Sequence, residues 1–173
     1  TPSSRGLGDV YKRQITTTAA LGGLSISIIG FANIIGTLVA GWAGKKYKKK
    51  FLLSGIYAGR SLIAAWFILT PITANTVLIF SFALGFLWLA TVPLTSGLVA
   101  HIYGLKYMAT LYGIVFFSHQ LGSFVGVWLG GVLYDDYGTY TFVWWVGIAI
   151  GVVSAIIHLP IKEEKRINRN ISL

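Results

Sequence analysis

Five long apolar stretches, separated by short polar segments, run along most of the chain. Each has about the twenty residues that a helix needs to cross a bilayer core roughly 30 Å thick. Backbone groups find no water there, so helices are expected, and the ten-residue alternation of a membrane barrel is absent. The predicted fold is therefore all-α, a polytopic membrane bundle of five complete transmembrane helices. The predicted spans are Leu24–Ala43, Phe51–Thr70, Val77–Ile102, Met108–Tyr134 and Phe142–Leu159.

The charge of the connecting segments alternates along the chain, as five crossings of a membrane require. Residues 45–50, after the first span, carry five lysines, and the segment after the third span carries Lys106. The segment after the second span has no charge, and the segment after the fourth has only Asp135 and Asp136. Because basic residues concentrate in cytoplasmic loops, the lysine-rich segments and the C-terminus are predicted to lie in the cytoplasm.

The two ends of the chain differ from the apolar region between them. Residues 1–14 are polar, lack the apolar core of a signal peptide, and place basic residues on the predicted outer side. We interpret them as a non-native or disordered leader. Residues 15–162 form the predicted helix bundle, and residues 163–173 are predicted to be a basic cytoplasmic tail.

Composition excludes several other classes of protein. Hydrophobic residues make up 55% of the 173 residues and charged residues only 11%, against about 25% in a soluble domain. The chain has no cysteine, so disulfides and thiolate metal sites are excluded. The net charge is +9, and the basic residues that cause it lie in short loops between the apolar runs. We therefore expect the lipid bilayer as a partner, and we do not expect nucleic acid. Without a phosphate loop, nucleophile elbow or paired carboxylates, we expect neither an enzyme nor a cofactor.

Residues 41–50, GWAGKKYKKK, resemble a cytoplasmic loop motif of the Major Facilitator Superfamily, G-x-x-x-D-[RK]-x-G-[RK]-[RK]. Gly41, Lys49 and Lys50 match the motif, and its Asp is absent. Three further segments, residues 85–97, 116–123 and 130–135, look like bacterial members of that superfamily related to monocarboxylate porters. The resemblance covers about residues 15–162.

The resemblance implies that the five spans are helices eight to twelve of a twelve-helix transporter. The missing N-terminal half of the same chain would then be a partner, and the two halves would move by alternating access. The implied function is secondary transport of a small solute, such as an organic anion or monocarboxylate, driven by a proton or solute gradient. The implied location is a bacterial cytoplasmic membrane. The alternative is a structural or assembly subunit of a membrane complex that transports nothing itself.

Arg60 is the most informative single residue of the predicted spans. It lies about 15 Å along the second span from the lysine-rich loop, near the bilayer midplane. The five acidic residues all lie outside the predicted spans, so Arg60 has no carboxylate partner within them. A guanidinium at this depth either binds the carboxylate of a solute or braces neighbouring helices, and both interpretations stay open.

Four further residues are candidates for contact with a solute. Histidine changes charge near physiological pH, so His119 is a candidate proton carrier, and Gln120 follows it in the fourth span. Trp88 is a candidate cavity wall or a lipid-facing side chain. Asn33 is expected to bond either a solute or a neighbouring helix. A lone histidine is a poor metal site, so no metal is predicted.

Small residues recur at four-residue spacing on three of the predicted spans. Such stripes let two helices approach closely, so all three are predicted to pack against neighbours. A proline in the third span also predicts a kink there. The stripes are Gly36, Ala40 and Gly44, then Gly122, Gly126 and Gly130, then Gly147, Gly151 and Ala155, and the proline is Pro93.

Overall fold

The structure is a computed structural model that describes residues 2–164, with side chains described for residues 18–164. Within these limits the chain is helical and contains no strand. Its helices are α1 (Pro2–Lys46), α2 (Lys49–Leu69), α3 (Ala74–Trp88), α4 (Thr91–Tyr103), α5 (Met108–Tyr137) and α6 (Thr141–His158).

Five helical segments are long and apolar enough to cross a membrane, by length and composition. They are Thr18–Lys46, Lys49–Leu69, Ala74–Tyr103, Met108–Tyr137 and Thr141–His158. The prediction of an all-α bundle with five spans is therefore confirmed. Helix α1 begins at Pro2 and so includes most of the predicted leader, whose non-native origin stays a prediction. Most of the predicted tail, residues 165–173, lies outside the described residues.

The third span is broken at Leu89 and Ala90, between α3 and α4. Pro93 has no N–H to donate to the carbonyl of Leu89, four residues earlier. The N–H of Val92 donates to that carbonyl instead, at 3.0 Å, in the tighter pattern of a 3₁₀ turn. The N–H of Leu89 itself donates to Oδ1 of Asn33 in α1, at 3.2 Å. The predicted kink is confirmed, and a neighbouring helix hydrogen-bonds to the broken segment.

Helix α1 packs most closely along α3, and small residues make the close approach possible. A Cβ atom added to Gly36 would overlap the backbone carbonyl oxygen of Phe86. A Cβ atom added to Gly85 would lie 2.8 Å from the Cα atom of Ile29. Backbone therefore meets backbone at two points, and the predicted packing role of Gly36 is confirmed.

Helix α2 packs along α6, and serine hydroxyls link the two helices. Ser54 donates to the carbonyl of Ala155 at 2.8 Å, and Ser61 donates to that of Ile148 at 3.2 Å. Gly151 lies against Ser61, where a Cβ atom would overlap the hydroxyl oxygen. Ser54 precedes Ser61 in α2, whereas the partner of Ser54, Ala155, follows the partner of Ser61, Ile148, in α6. The two helices therefore run antiparallel.

The most buried side chains lie at one end of the bundle, beside the turn between α1 and α2. Leu53 and Leu94 are each 1% exposed there. Lys49, at the start of α2, forms an ion pair of 3.4 Å with Glu163, which follows α6. The buried cluster comprises Ala40, Leu53, Ala90, Leu94 and Leu98. This end is therefore the most compact part of the described residues.

Candidate functional site

Arg60 lies near the middle of α2 and is half-buried. Its guanidinium carbon is 4.7 Å from the centroid of the Trp88 ring and 5.8 Å from that of Tyr57. Both separations fall within the range of cation–π attraction. Tyr57 precedes Arg60 by three residues, so helical geometry places the two on one face of α2. Trp88 is brought to the same place as the last residue of α3, at the broken segment.

No carboxylate among the described residues lies within ion-pair distance of Arg60. Asp135 and Asp136 lie in the last turn of α5, and Glu163 pairs with Lys49. The aromatic rings stabilise the positive charge without using the N–H groups of the guanidinium. Among the residues that the structure describes, the guanidinium donates to no other group, so its N–H donors are available for an anion.

Two cavities open beside Arg60. The first, of about 540 Å³, lies between α2, α3 and α6, and its lining includes Tyr57, Ser61 and Trp144. The second, of about 850 Å³, lies between α5, α6 and the Arg60 face, and its lining includes His119. Five lining residues are common to both cavities: Arg60, Trp88, Val143, Gly147 and Ile150. The guanidinium therefore borders both spaces, each large enough for a small organic molecule.

Aromatic contacts flank the first cavity on both sides along α2. Toward the end of α2, the rings of Phe67 and Phe80 stack at 4.2 Å, and Trp144 meets Phe80 edge-on at 5.9 Å. Toward the start of α2, the ring of Tyr57 stacks on that of His158 at 5.1 Å. His158 is the last residue of α6, and the sequence gave no reason to expect this stack.

The structure brings together three of the five predicted site residues. Arg60, Trp88 and His119 line the second cavity. Gln120 is exposed and lines neither cavity beside Arg60. Asn33 borders a separate open pocket against α1, and its side-chain oxygen accepts a hydrogen bond from the N–H of Leu89.

Several polar groups near Arg60 escaped the sequence analysis. Tyr57 and four serines, Ser61, Ser118, Ser123 and Ser154, line the two cavities. Ser118 and Ser123 each donate to a backbone carbonyl one turn earlier in their own helix. The Ser61 hydroxyl shares its single proton between the carbonyls of Tyr57, at 3.1 Å, and Ile148, at 3.2 Å. Single serines in an apolar run carry no strong sequence signal. For Tyr57, the spacing of three residues from Arg60 was the available clue.

The glycine stripe on α5 does not pack against another helix as predicted. A Cβ atom added to Gly122 or Gly126 would meet no atom within 4 Å among the described residues. Only Gly130 of this stripe is in contact, where such an atom would lie 3.8 Å from Val143. All three glycines line the second cavity. Within the described residues the stripe prediction is thus wrong for Gly122 and Gly126, because this part of α5 stands apart from α2.

The described residues contain no group of three or more His, Asp or Glu side chains placed to hold a metal ion. The polar chemistry of the cavities rests instead on one cation, one imidazole and hydroxyl groups, set among apolar walls. Apolar spanning helices around such a cavity define an integral membrane protein that can hold a small solute.

A sequence model of the Major Facilitator Superfamily matches residues 7–171. The chain therefore belongs to this superfamily of membrane transporters, and the resemblance found in the sequence is confirmed. Membership also agrees with the expectation that the chain is not an enzyme.

Two relatives match the chain at 29% identity. One is "Uncharacterized MFS-type transporter YcxA" from Bacillus subtilis (strain 168), over 131 residues, or 73% of this chain and 32% of that protein. The other is "Monocarboxylate transporter 12-B" from Danio rerio, over 121 residues, or 67% of this chain and 25% of that protein. The chain thus spans a third or less of each relative. No solved structure matches it.

Proposed function

We propose that this chain is part of a secondary transporter that carries a small organic anion, with Arg60 as the anchor for its carboxylate. The observation that carries the proposal is a guanidinium near the middle of a spanning helix, bordering two cavities, with no acidic partner among the described residues. Charged groups at this depth face a bundle interior or a water-filled cavity. A guanidinium fork matches a carboxylate with two parallel hydrogen bonds.

The lining of the cavities favours a solute with one negative charge and an apolar body. Arg60 supplies the positive charge, and Trp88, Trp144 and Val143 supply apolar walls. The hydroxyls of Ser61 and Ser123 already donate to backbone carbonyls. A sugar needs many free donors and acceptors, and a dicarboxylate needs a second cation. A monocarboxylate fits better, and one relative carries that substrate in its name.

The remaining parts of the proposal concern coupling and assembly. His119 shares the second cavity with Arg60, and imidazole changes charge near physiological pH, so we assign proton coupling to it. Because the chain covers a third or less of its relatives, we propose that an N-terminal half of the same protein completes the pathway. We keep a bacterial cytoplasmic membrane as the proposed location, as the resemblance to bacterial members implies. The positive-inside rule favours an orientation with residues 45–50 and the C-terminus in the cytoplasm.

The test uses the intact protein reconstituted in vesicles and a panel of radiolabelled solutes. Lactate, pyruvate and 2-oxoisocaproate represent monocarboxylates, and succinate and glucose serve as comparisons. We expect uptake of at least one monocarboxylate, with affinity about ten- to hundredfold weaker in Arg60→Gln, because a charge-assisted hydrogen bond contributes about 1.5–3 kcal/mol. Arg60→Lys should recover only part of the affinity, because it keeps the charge and loses the fork.

Matched controls separate solute binding from a bracing role. Lys106→Gln removes an exposed positive charge away from the cavities and should leave affinity unchanged. Trp88→Leu removes the cation–π partner while keeping the guanidinium. If Arg60 only braces the helices, Arg60→Gln and Trp88→Leu would lower stability alike and leave affinity intact. Equal affinity in wild type and Arg60→Gln would therefore refute the anchor.

A further inference from the structure

The turn between α1 and α2 holds five lysines that the structure divides into two sets. Lys49 Nζ lies 3.4 Å from Glu163 Oε1, and Lys50 Nζ donates to the carbonyl of Leu159 at 3.0 Å. These two amines are used within the bundle. The other three amines are exposed and meet no acceptor oxygen among the described residues. They belong to Lys45, Lys46 and Lys48.

Aromatic side chains surround the three exposed lysines. Trp42 is 63% exposed and Phe51 is 54% exposed, one on each side of the turn. The Lys46 amine lies 5.9 Å from the Trp42 ring centroid and 5.7 Å from that of Tyr47. Trp and Tyr favour the level of lipid headgroups. At the end of two spanning helices, the three amines are therefore expected at the depth of lipid phosphates.

We infer that Lys45, Lys46 and Lys48 form a binding site for the headgroup of an anionic phospholipid. Charge complementarity carries the inference, because residues 41–50 contain no acidic side chain and the three amines meet no carboxylate among the described residues. Trp42 and Phe51 would contact the upper acyl chains while the amines hold the phosphate. Only Tyr47 and Lys48 separate α1 from α2, so the site is held by two helix ends.

The ion pair beside this site has a different role. Lys49 lies against Gly97 of α4 as well as against Glu163, so it joins three parts of the bundle. Removing it would disturb packing. The exposed set can be changed without touching those contacts, which makes the lipid site separable from the fold. It is also separable from Arg60, so a failure here leaves the proposed function untouched.

The experiment measures lipid selectivity of the intact protein in phosphatidylcholine vesicles with spin-labelled phosphatidylglycerol or spin-labelled phosphatidylcholine. We expect wild type to favour phosphatidylglycerol by about tenfold at low salt, or about 1.4 kcal/mol, because the three lysines attract an anionic headgroup. The triple variant Lys45→Gln, Lys46→Gln, Lys48→Gln should fall to about twofold or less. Selectivity of wild type should also fall in 1 M NaCl.

Three comparisons make the result decisive. The Lys→Arg triple at the same positions keeps the charge and should keep the selectivity. The pair Lys106→Gln, Lys162→Gln removes exposed charge on the same side and should keep most of it. The single change Lys48→Gln touches no described partner, so it tests the site even if the triple fails to fold. Unchanged selectivity in Lys48→Gln and the triple, or equal loss in the control pair, would overturn the inference.

Discussion

The glycine stripes of α1 and α5 look alike in sequence and behave differently in the structure. On α1, Gly36 lies against the backbone of Phe86 with no room for a methyl group. On α5, Gly122 and Gly126 face a cavity and touch no other helix among the described residues. A stripe of small residues therefore defines a smooth helix face, and the neighbouring helix decides whether that face packs or lines a space.

The stripe of α6 combines both kinds of behaviour, because one part of it packs against a helix and another part lines a cavity. Gly151 packs against Ser61 of α2 and lines only the first cavity. Gly147, one turn earlier, lines both cavities beside Arg60, and a Cβ atom there would meet no atom within 4 Å among the described residues. The same face of α6 thus changes from close contact to open space within four residues. The comparison can be tested with one kind of substitution, Gly to Ala. In each case the change adds one methyl group and the same gain in helix propensity, up to about 1 kcal/mol.

The largest effect is expected for Gly36→Ala. The added methyl group would overlap the carbonyl oxygen of Phe86, which is backbone and cannot rotate away. The α1 and α3 helices must then separate, and we expect a loss of about 3 kcal/mol in the free energy of unfolding. Reversible unfolding of the intact protein in mixed detergent and dodecyl sulfate micelles measures this. A stability equal to wild type would show that α1 and α3 are not in backbone contact.

A smaller loss is expected for Gly151→Ala. Its new methyl group would meet the hydroxyl of Ser61, which can rotate but then loses its bond to the carbonyl of Ile148. We expect a loss of about 1–2 kcal/mol. The double change with Ser61→Ala removes the colliding atom, so it should recover part of the loss. A double-mutant cycle measures the coupling, and strict additivity would contradict the contact.

The next effect in size concerns the break in the third span. Asn33→Ala removes the oxygen that accepts the N–H of Leu89, and we expect a loss of about 1 kcal/mol in unfolding free energy. Ser27→Ala is the control, because that hydroxyl is exposed and bonds only to the carbonyl of Gly23 in its own helix. Equal small effects at both positions would mean that the bond across α1 and α3 contributes nothing.

The fold followed from the sequence because hydrophobic length is a strong signal in a membrane protein. A segment in lipid must form all its backbone hydrogen bonds within the protein, so it is helical. Each apolar run near twenty residues therefore predicts one spanning helix, and counting the runs gives the number of helices. The kink at Pro93 was also predictable, because proline has no N–H and therefore removes one hydrogen bond of the helix wherever it occurs. The position of the break, at Leu89 and Ala90, depends also on Asn33, which is remote in sequence.

The candidate site was predictable only in part. The depth and charge of Arg60 made it recognisable, and Trp88 and His119 proved to share its cavity. Gln120 was selected for its depth in the span, but depth does not specify which face of a helix a side chain occupies. Tyr57 was missed because its role depends on the position of Arg60 three residues later. Pairings between helices depend on tertiary packing, which periodicity alone does not encode.

The smallest effect is expected for Gly122→Ala. The methyl group would enter the second cavity, of about 850 Å³, and meet no atom within 4 Å among the described residues. No overlap opposes the gain in helix propensity, so stability should stay equal or rise by up to about 1 kcal/mol. Unfolding in the same micelles measures this beside Gly36→Ala. A loss as large as that of Gly36→Ala would mean that α5 packs tightly in the intact protein. The contrast between the two stripes would then disappear, and the cavity beside His119 with it.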